Sequence, residues 1–272
     1  MNQESDRRMW STTLRRLNAL VEALLKRGMP NTMTVRELQL VFRQQGIYPV
    51  RDDPQYCVPA LPDAFFTYHS AQNVVDLETI IWQTCQYAVR TLTRRRPELA
   101  NDDLTPLIYD GIRIWVDFLF IDQSARDIRG ELTVLPRLLE SARAHFVLGT
   151  KPLMRAWCCY EIALFNQHLV SVDVPRFPGV MGAQLRSFIA PTRSFHLGWE
   201  RTETTEPDDK TFIGERIATA FPGGFDGFNN IMAQANSVAV LPFDESGVWS
   251  TPGADENLLH AVEAWYARGR TA

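Results

Sequence analysis

At 272 residues, 45% of them hydrophobic and 22% charged, the chain is long enough for a large core, and its composition excludes a disordered, collagen-like or simple-repeat protein. Lys and Arg number 28 against 32 Asp and Glu, a net charge of -4, so no basic field exists to hold a phosphate backbone and no nucleic-acid partner is expected. No window of about 18 apolar residues occurs, the N-terminal MNQESDRRMWSTTLRRL lacks the apolar stretch of a signal peptide, and Cys57, Cys85, Cys158 and Cys159 show no metal or CxxC spacing; the expectation is a cytoplasmic protein with reduced, buried thiols, no membrane and no metal.

Trp10, Leu14, Leu17, Leu20, Val21, Leu24 and Leu25 recur at three- and four-residue spacing and predict an amphipathic helix over about 7–27, ended by Gly28 and Pro30. A second helix is predicted from Thr34, which has capping-box spacing to Glu37, as far as Gly46. Pro49, Pro54, Pro59 and Pro62 make 47–62 irregular, so residues 1–57 read as an N-terminal helical extension and linker.

From Asp63 short apolar runs alternate with longer amphipathic ones, the pattern of an α/β domain with a parallel sheet flanked by helices. Strands are predicted at 64–68, 112–117, 145–148, 169–174 and 237–241. Helices are predicted at 73–93, 131–142, 152–168, 209–219, 224–235 and 256–268. The domain is expected over 58–241, with 242–272 as a C-terminal tail and helix. Gly223-Gly224-Phe225-Asp226-Gly227 lacks the Lys-Ser/Thr of a P-loop and reads as a bend between helices.

The predicted helix at 152–168 carries the most informative anomaly. Trp157, Glu161, Leu164, Phe165 and His168 share one stripe, so a carboxylate lies among large apolar groups. Such a carboxylate must be paired or lie at the open end of a cleft. Spacing leaves both readings open: an ion pair with Arg155 or Arg143, or a functional group. The histidines His69, His145, His168, His196 and His260 are scattered without ligand spacing.

Ser141-Ala142-Arg143-Ala144-His145-Phe146-Val147-Leu148-Gly149-Thr150 followed by Arg155-Ala156-Trp157-Cys158-Cys159-Tyr160-Glu161-Ile162 resembles Toll/interleukin-1 receptor (TIR) domains, whose plant-type members place a Ser before the third strand and Trp-Cys-x-x-Glu at the next helix. Asp63-Ala64-Phe65-Phe66-Thr67-Tyr68-His69-Ser70 is similar to the family's first strand, Trp115-Val116-Asp117 to its second, and Ile128-Arg129-Gly130-Glu131 to the end of the BB loop. The segment from Trp115 to Gln123 also resembles the fungal heterokaryon-incompatibility signature, itself TIR-like. Thr67 stands where the family has a small Ser, and the BB loop carries no proline.

The resemblance implies a flavodoxin-like parallel sheet flanked by helices, behind the N-terminal helical extension. It further implies cleavage of the nicotinamide–ribose bond of NAD to nicotinamide and ADP-ribose or a cyclic ADP-ribose signal, in immune defence or cell death. NAD is then substrate and no cofactor is needed. Self-association through TIR surfaces is implied, and an effector that senses the nucleotide product would be a further partner. Glu161 matches the family's catalytic position. Tyr68, His69 and Ser70 follow the first strand at the carboxyl edge of the sheet, where α/β folds bind ligands, and are candidate substrate contacts with Asp117, Arg126 and Trp157. Arg126 and Arg129 are candidates for the pyrophosphate. Asp117 is also expected to orient the BB loop, and Trp157 either packs on the helix at 131–142 or walls the pocket.

Two other readings stand beside this one. A TIR adaptor would signal by self-assembly without chemistry, although it has no need for Glu161 on that stripe. A nucleoside deoxyribosyltransferase-like enzyme would also use a Glu on a flavodoxin-like sheet, but the Trp-Cys-x-x-Glu context speaks against it.

Overall fold

The structure is a computed structural model and describes residues 7–45, 53–121, 130, 132–149, 151–171, 176–181, 198–204, 207–235, 239–241 and 254–270. Ala64–Thr67 (β1) is buried at every position, as a strand covered on both faces must be. It pairs in parallel with Ile114–Trp115 (β2) on one side and with Ala144–Leu148 (β3) on the other. Phe177–Met181 (β4) and Ala239–Leu241 (β5) extend the sheet beyond β3, all parallel, in the order β2-β1-β3-β4-β5.

The helices are Leu14–Lys26 (α1), Val35–Gln45 (α2), Val74–Arg95 (α3), Leu135–Ser141 (α4), Ala156–Ser171 (α5), Pro207–Ala220 (α6), Gly224–Ala235 (α7) and Ala254–Gly269 (α8). Strand order reverses direction after β2. Right-handed crossovers therefore place α3 on one face of the sheet and the later connecting helices on the other. The packing follows: α1 and α8 lie against α3, whereas α5 lies against α4, α6 and α7. Among the described residues no helix is long and apolar enough to cross a membrane.

The predicted fourth strand and first helix are corrected. The fourth strand is Phe177–Met181 rather than 169–174, because α5 runs on through Ser171, each added residue extending an existing ladder. Pro178 and Gly179 disguise the real strand in the sequence. The first helix begins at Leu14 rather than near residue 7. Before it, the Thr12 N–H and C=O pair with those of Ile114 at 2.9 and 2.8 Å, and Ser11 bridges to Val58. These residues cover the β2 edge, which would otherwise expose unpaired backbone groups.

The N-terminal helices join the same core. Leu14, Leu17, Leu20, Val21, Val35, Leu38 and Phe42 belong to one buried cluster with the strand residues. The predicted capping box is present: Thr34 N–H donates to Glu37 Oε2 at 2.8 Å and Glu37 N–H to Thr34 Oγ1 at 3.2 Å. The start of α2 also holds the loop after β1, since Val35 N–H donates to the Gln72 carbonyl and Arg36 N–H to the Ser70 carbonyl, both at 2.9 Å.

At the amino edge of the sheet Asp63 is buried and takes two arginines. Arg113 donates Nε at 3.0 Å and Nη2 at 2.8 Å; Arg268, from the end of α8, donates both Nη atoms at 2.6 Å. A buried carboxylate between two guanidinium groups ties the closing helix to the strand edge. The four cysteines are free and buried.

Candidate functional site

Parallel strands joined by a helix force that helix to run back antiparallel, so the first turns of α5 lie at the carboxyl ends of β1 and β3. Glu161 is in those turns. Two residues of the stripe read from the sequence, Glu161 and Phe165, meet the sheet: Phe165 packs edge to face on His145 of β3 at 5.2 Å, and His145 on Phe65 of β1 at 5.4 Å. Phe65 is in register with His145, and side chains two apart on a strand share a face, so Thr67 joins them. Thr67 Oγ1 donates to Glu161 Oε2 at 2.6 Å and lies 2.7 Å from His145 Nε2.

Glu161 is half-buried, and among the described residues it has no ion pair; Arg143 is exposed and makes none with it. Burial pushes its carboxyl up to about 8, helped by the charge of Asp117 and opposed by the Thr67 hydrogen bond. His145 is fully enclosed, and burial holds its imidazole down to about 3, so it is neutral across the physiological range. Cys158 and Cys159 precede the carboxylate by three and two residues in sequence. Burial and the Glu161 charge raise both thiols, Cys159 to about 12, which keeps them protonated and unreactive.

Asp117 opens a single helical turn, Asp117–Phe120, directly after β2, where the expected longer strand gives way to helix. Tyr68 donates its hydroxyl to Asp117 Oδ1 and accepts the Phe118 N–H at 3.3 Å. Burial first, and then the Asp117 charge and hydrogen bond, raise the Tyr68 phenol well above its usual range. Tyr68 is thus a proton donor to Asp117 and not a base.

The other candidates divide. His69 is half-buried and its Nδ1 accepts the Ala71 N–H at 3.1 Å. Burial and then the positive charges of Arg155 and Lys151 lower its pKa, so it sits neutral beside two cations. Ser70 follows it and is half-buried. Trp157 packs on Phe212 of α6 at 6.0 Å and donates Nε1 to Asp209 at 3.2 Å, so the expected packing on the 131–142 helix is corrected to α6. Arg126 and Arg129 lie outside the described residues.

Glu161, Asp117 and Tyr68 therefore converge at one edge with Thr67 and His145, the two residues that the sequence reading did not place in the site. Their signal was available: a histidine inside the apolar run Ala144–Leu148 and a hydroxyl closing Ala64–Thr67 are polar groups at positions that must be buried. A carboxylate held by a hydroxyl, with no cation paired to it among the described residues, can stabilise positive charge developing on a bound molecule. Among the described residues no group of three His, Cys, Asp or Glu side chains could hold a metal ion. No protein-family model matches the chain, and no curated protein matches it.

Proposed function

We propose that the chain is a TIR-like NAD glycohydrolase acting in immune defence or cell death, releasing nicotinamide and ADP-ribose or a cyclic ADP-ribose. The observation that carries this reading is the half-buried Glu161 at the carboxyl edge of a parallel sheet, held by the Thr67 hydroxyl and without an ion pair among the described residues. A buried carboxylate without a counter-ion lowers stability and is retained where a ligand supplies the missing positive charge. Oxidised NAD brings that charge on its pyridinium ring. The strand order 2-1-3-4-5 is the flavodoxin-like one, which suits the TIR resemblance of the Trp157–Glu161 segment.

Nicotinamide leaves as a neutral molecule from a cationic pyridinium, so its departure needs no proton. The ribosyl carbon acquires oxocarbenium character as the bond breaks, as in glycoside cleavage. Glu161 stabilises that centre electrostatically, and a cationic substrate favours ionisation of a carboxyl that is otherwise largely protonated at neutral pH. Water or the adenine ring then takes the ribosyl carbon, giving the linear or the cyclic product. Asp117, placed after β2 and held by Tyr68, adds negative potential at the same edge.

The test is to incubate the purified chain with NAD, alone and under crowding, and to identify products by mass. Release of nicotinamide by the parent chain, with a loss of about 10²–10³-fold in Glu161→Gln, is expected. Equal turnover in a folded Glu161→Gln chain would remove the carboxylate from this role, and no turnover in either would favour the adaptor reading.

A further inference from the structure

His145 is a fully buried titratable side chain on the middle strand of the sheet, and the chemistry assigned to Glu161 does not call for it. Its place is determined by two relationships. Register sets it beside Phe65, and its ring is enclosed by Phe65 and Phe165, so the imidazole has little rotational freedom. Its Nε2 then meets the Thr67 hydroxyl, whose other neighbour is Glu161.

A hydroxyl has one proton. If Thr67 gives that proton to Glu161 Oε2, its oxygen can only accept from His145, and the imidazole must carry its proton on Nε2. The alternative polarity, with Thr67 donating to a bare Nε2, would turn an oxygen lone pair toward an ionised carboxylate 2.6 Å away, which is repulsive.

We propose that His145 and Thr67 are positioning residues for Glu161: a hydrogen-bond chain from His145 Nε2–H to Thr67 Oγ1 and from Thr67 Oγ1–H to Glu161 Oε2 pins one carboxylate oxygen and leaves Oε1 as the oxygen available to the reacting centre. The part given to Oε1 rests on the NAD-cleavage reading, whereas the chain itself does not. Because His145 is buried and uncharged, it directs the hydroxyl without neutralising the carboxylate. A cation in its place would hold Glu161 more firmly and take from it the charge that a bound cation needs. Among the described residues the groups facing Glu161 are Thr67 and Tyr68 from the β1 end, His145 from β3, Asp117 after β2, and Cys158 and Cys159 on its own helix. Of these only Asp117 brings a charge, and its sign opposes ionisation, so the Thr67 hydrogen bond is the one contact that favours the ionised form.

The chain can be tested without substrate. In the full-length parent protein, nitrogen-15 NMR of the His145 ring above the Glu161 titration is expected to show a neutral imidazole protonated on Nε2 and bare on Nδ1. A bare Nε2, or an imidazolium, overturns the proposal. Thr67→Val keeps the shape and removes the hydroxyl; the carbon-13 titration of the Glu161 carboxyl is expected to move upward by about one pH unit, and the rise of kcat/KM for NAD with it. Thr67→Ser should restore both. An unmoved titration in folded Thr67→Val overturns the proposal, and if that variant does not fold, the tautomer in the parent chain decides. Should Glu161→Gln turn over NAD as fast as the parent, the NAD reading fails while the tautomer and titration still judge the hydrogen-bond chain.

Discussion

Tyr68 donates its hydroxyl to Asp117, tying the residue after β1 to the residue that opens the turn after β2. The same carboxylate raises the pKa of Glu161 across the edge of the sheet. Two acidic groups at one edge thus have different surroundings: one is hydrogen-bonded by a phenol, the other is burdened by burial and by its neighbour's charge.

Asp117→Asn removes the like charge while keeping volume and an acceptor for Tyr68. The Glu161 carboxyl should then titrate lower, by less than the whole displacement, because burial is the larger cause. For NAD cleavage, kcat/KM of the parent is expected to rise with pH and level off above about 8, where free Glu161 is ionised, and in Asp117→Asn the rise should move to lower pH. Profiles of kcat/KM for the two chains check this; a profile shifted to higher pH in the variant would contradict it.

Glu161 also imposes a pH-dependent stability. Its pKa is about 8 folded against an ordinary 4.5, so the folded state binds the proton more tightly. The resulting contribution is complete below about 4.5 and is lost as pH rises through about 8. Glu161→Gln carries no titrating group and should melt higher than the parent at alkaline pH, the gap closing as pH falls toward 4.5. Thermal melts across that range measure it; a gap that widens toward acid would reverse the sign.

Asp63→Asn leaves the Arg113 and Arg268 guanidinium groups facing each other without a carboxylate. Removing one partner of a buried ionic group costs about 3 kcal/mol, toward the lower part of the usual range because both arginines are partly exposed. Urea unfolding should show that loss. Proteolysis should show α8 released before the rest, because Arg268 anchors its end. Stability within error of the parent would mean that the two arginines find other partners.

Deleting residues 1–57 should give an insoluble or unfolded chain. It removes the Thr12 pairing from the β2 edge and uncovers the apolar surface against which Leu14, Leu17, Leu20 and Val21 are buried. It also removes the backbone bonds that Val35 and Arg36 give to the loop carrying His69 and Ser70. Solubility and circular dichroism of the truncated chain decide the matter, and a folded monomer with unchanged NAD turnover would show that the hairpin is an independent appendage.

Much of the architecture was legible because it depends on neighbours along the chain. The Thr34–Glu37 cap, the helix expected over 73–93, the bend at Gly223 and Gly224 and the alternation of strands with helices are all local patterns. Glu161 stood out for the same reason, as a carboxylate on an apolar stripe. The fourth strand was not legible, since Pro178 and Gly179 are breakers by local rule and only pairing with β3 and β5 makes the segment a strand.

The residues that hold Glu161 belong to the second kind. Thr67, His145, Tyr68 and Asp117 are far apart in the chain and meet only because the register of β1 with β3 and the early end of β2 bring them to one edge. Chain order by itself determined most of the strands and helices, apart from the displaced fourth strand, the later start of the first helix and the helical turn that cuts short the second strand, and which helix face carries the carboxylate. Only the tertiary structure decided that this carboxylate meets the Thr67 hydroxyl, which in turn meets a neutral histidine, because pairing across parallel strands is a long-range choice that no local spacing encodes.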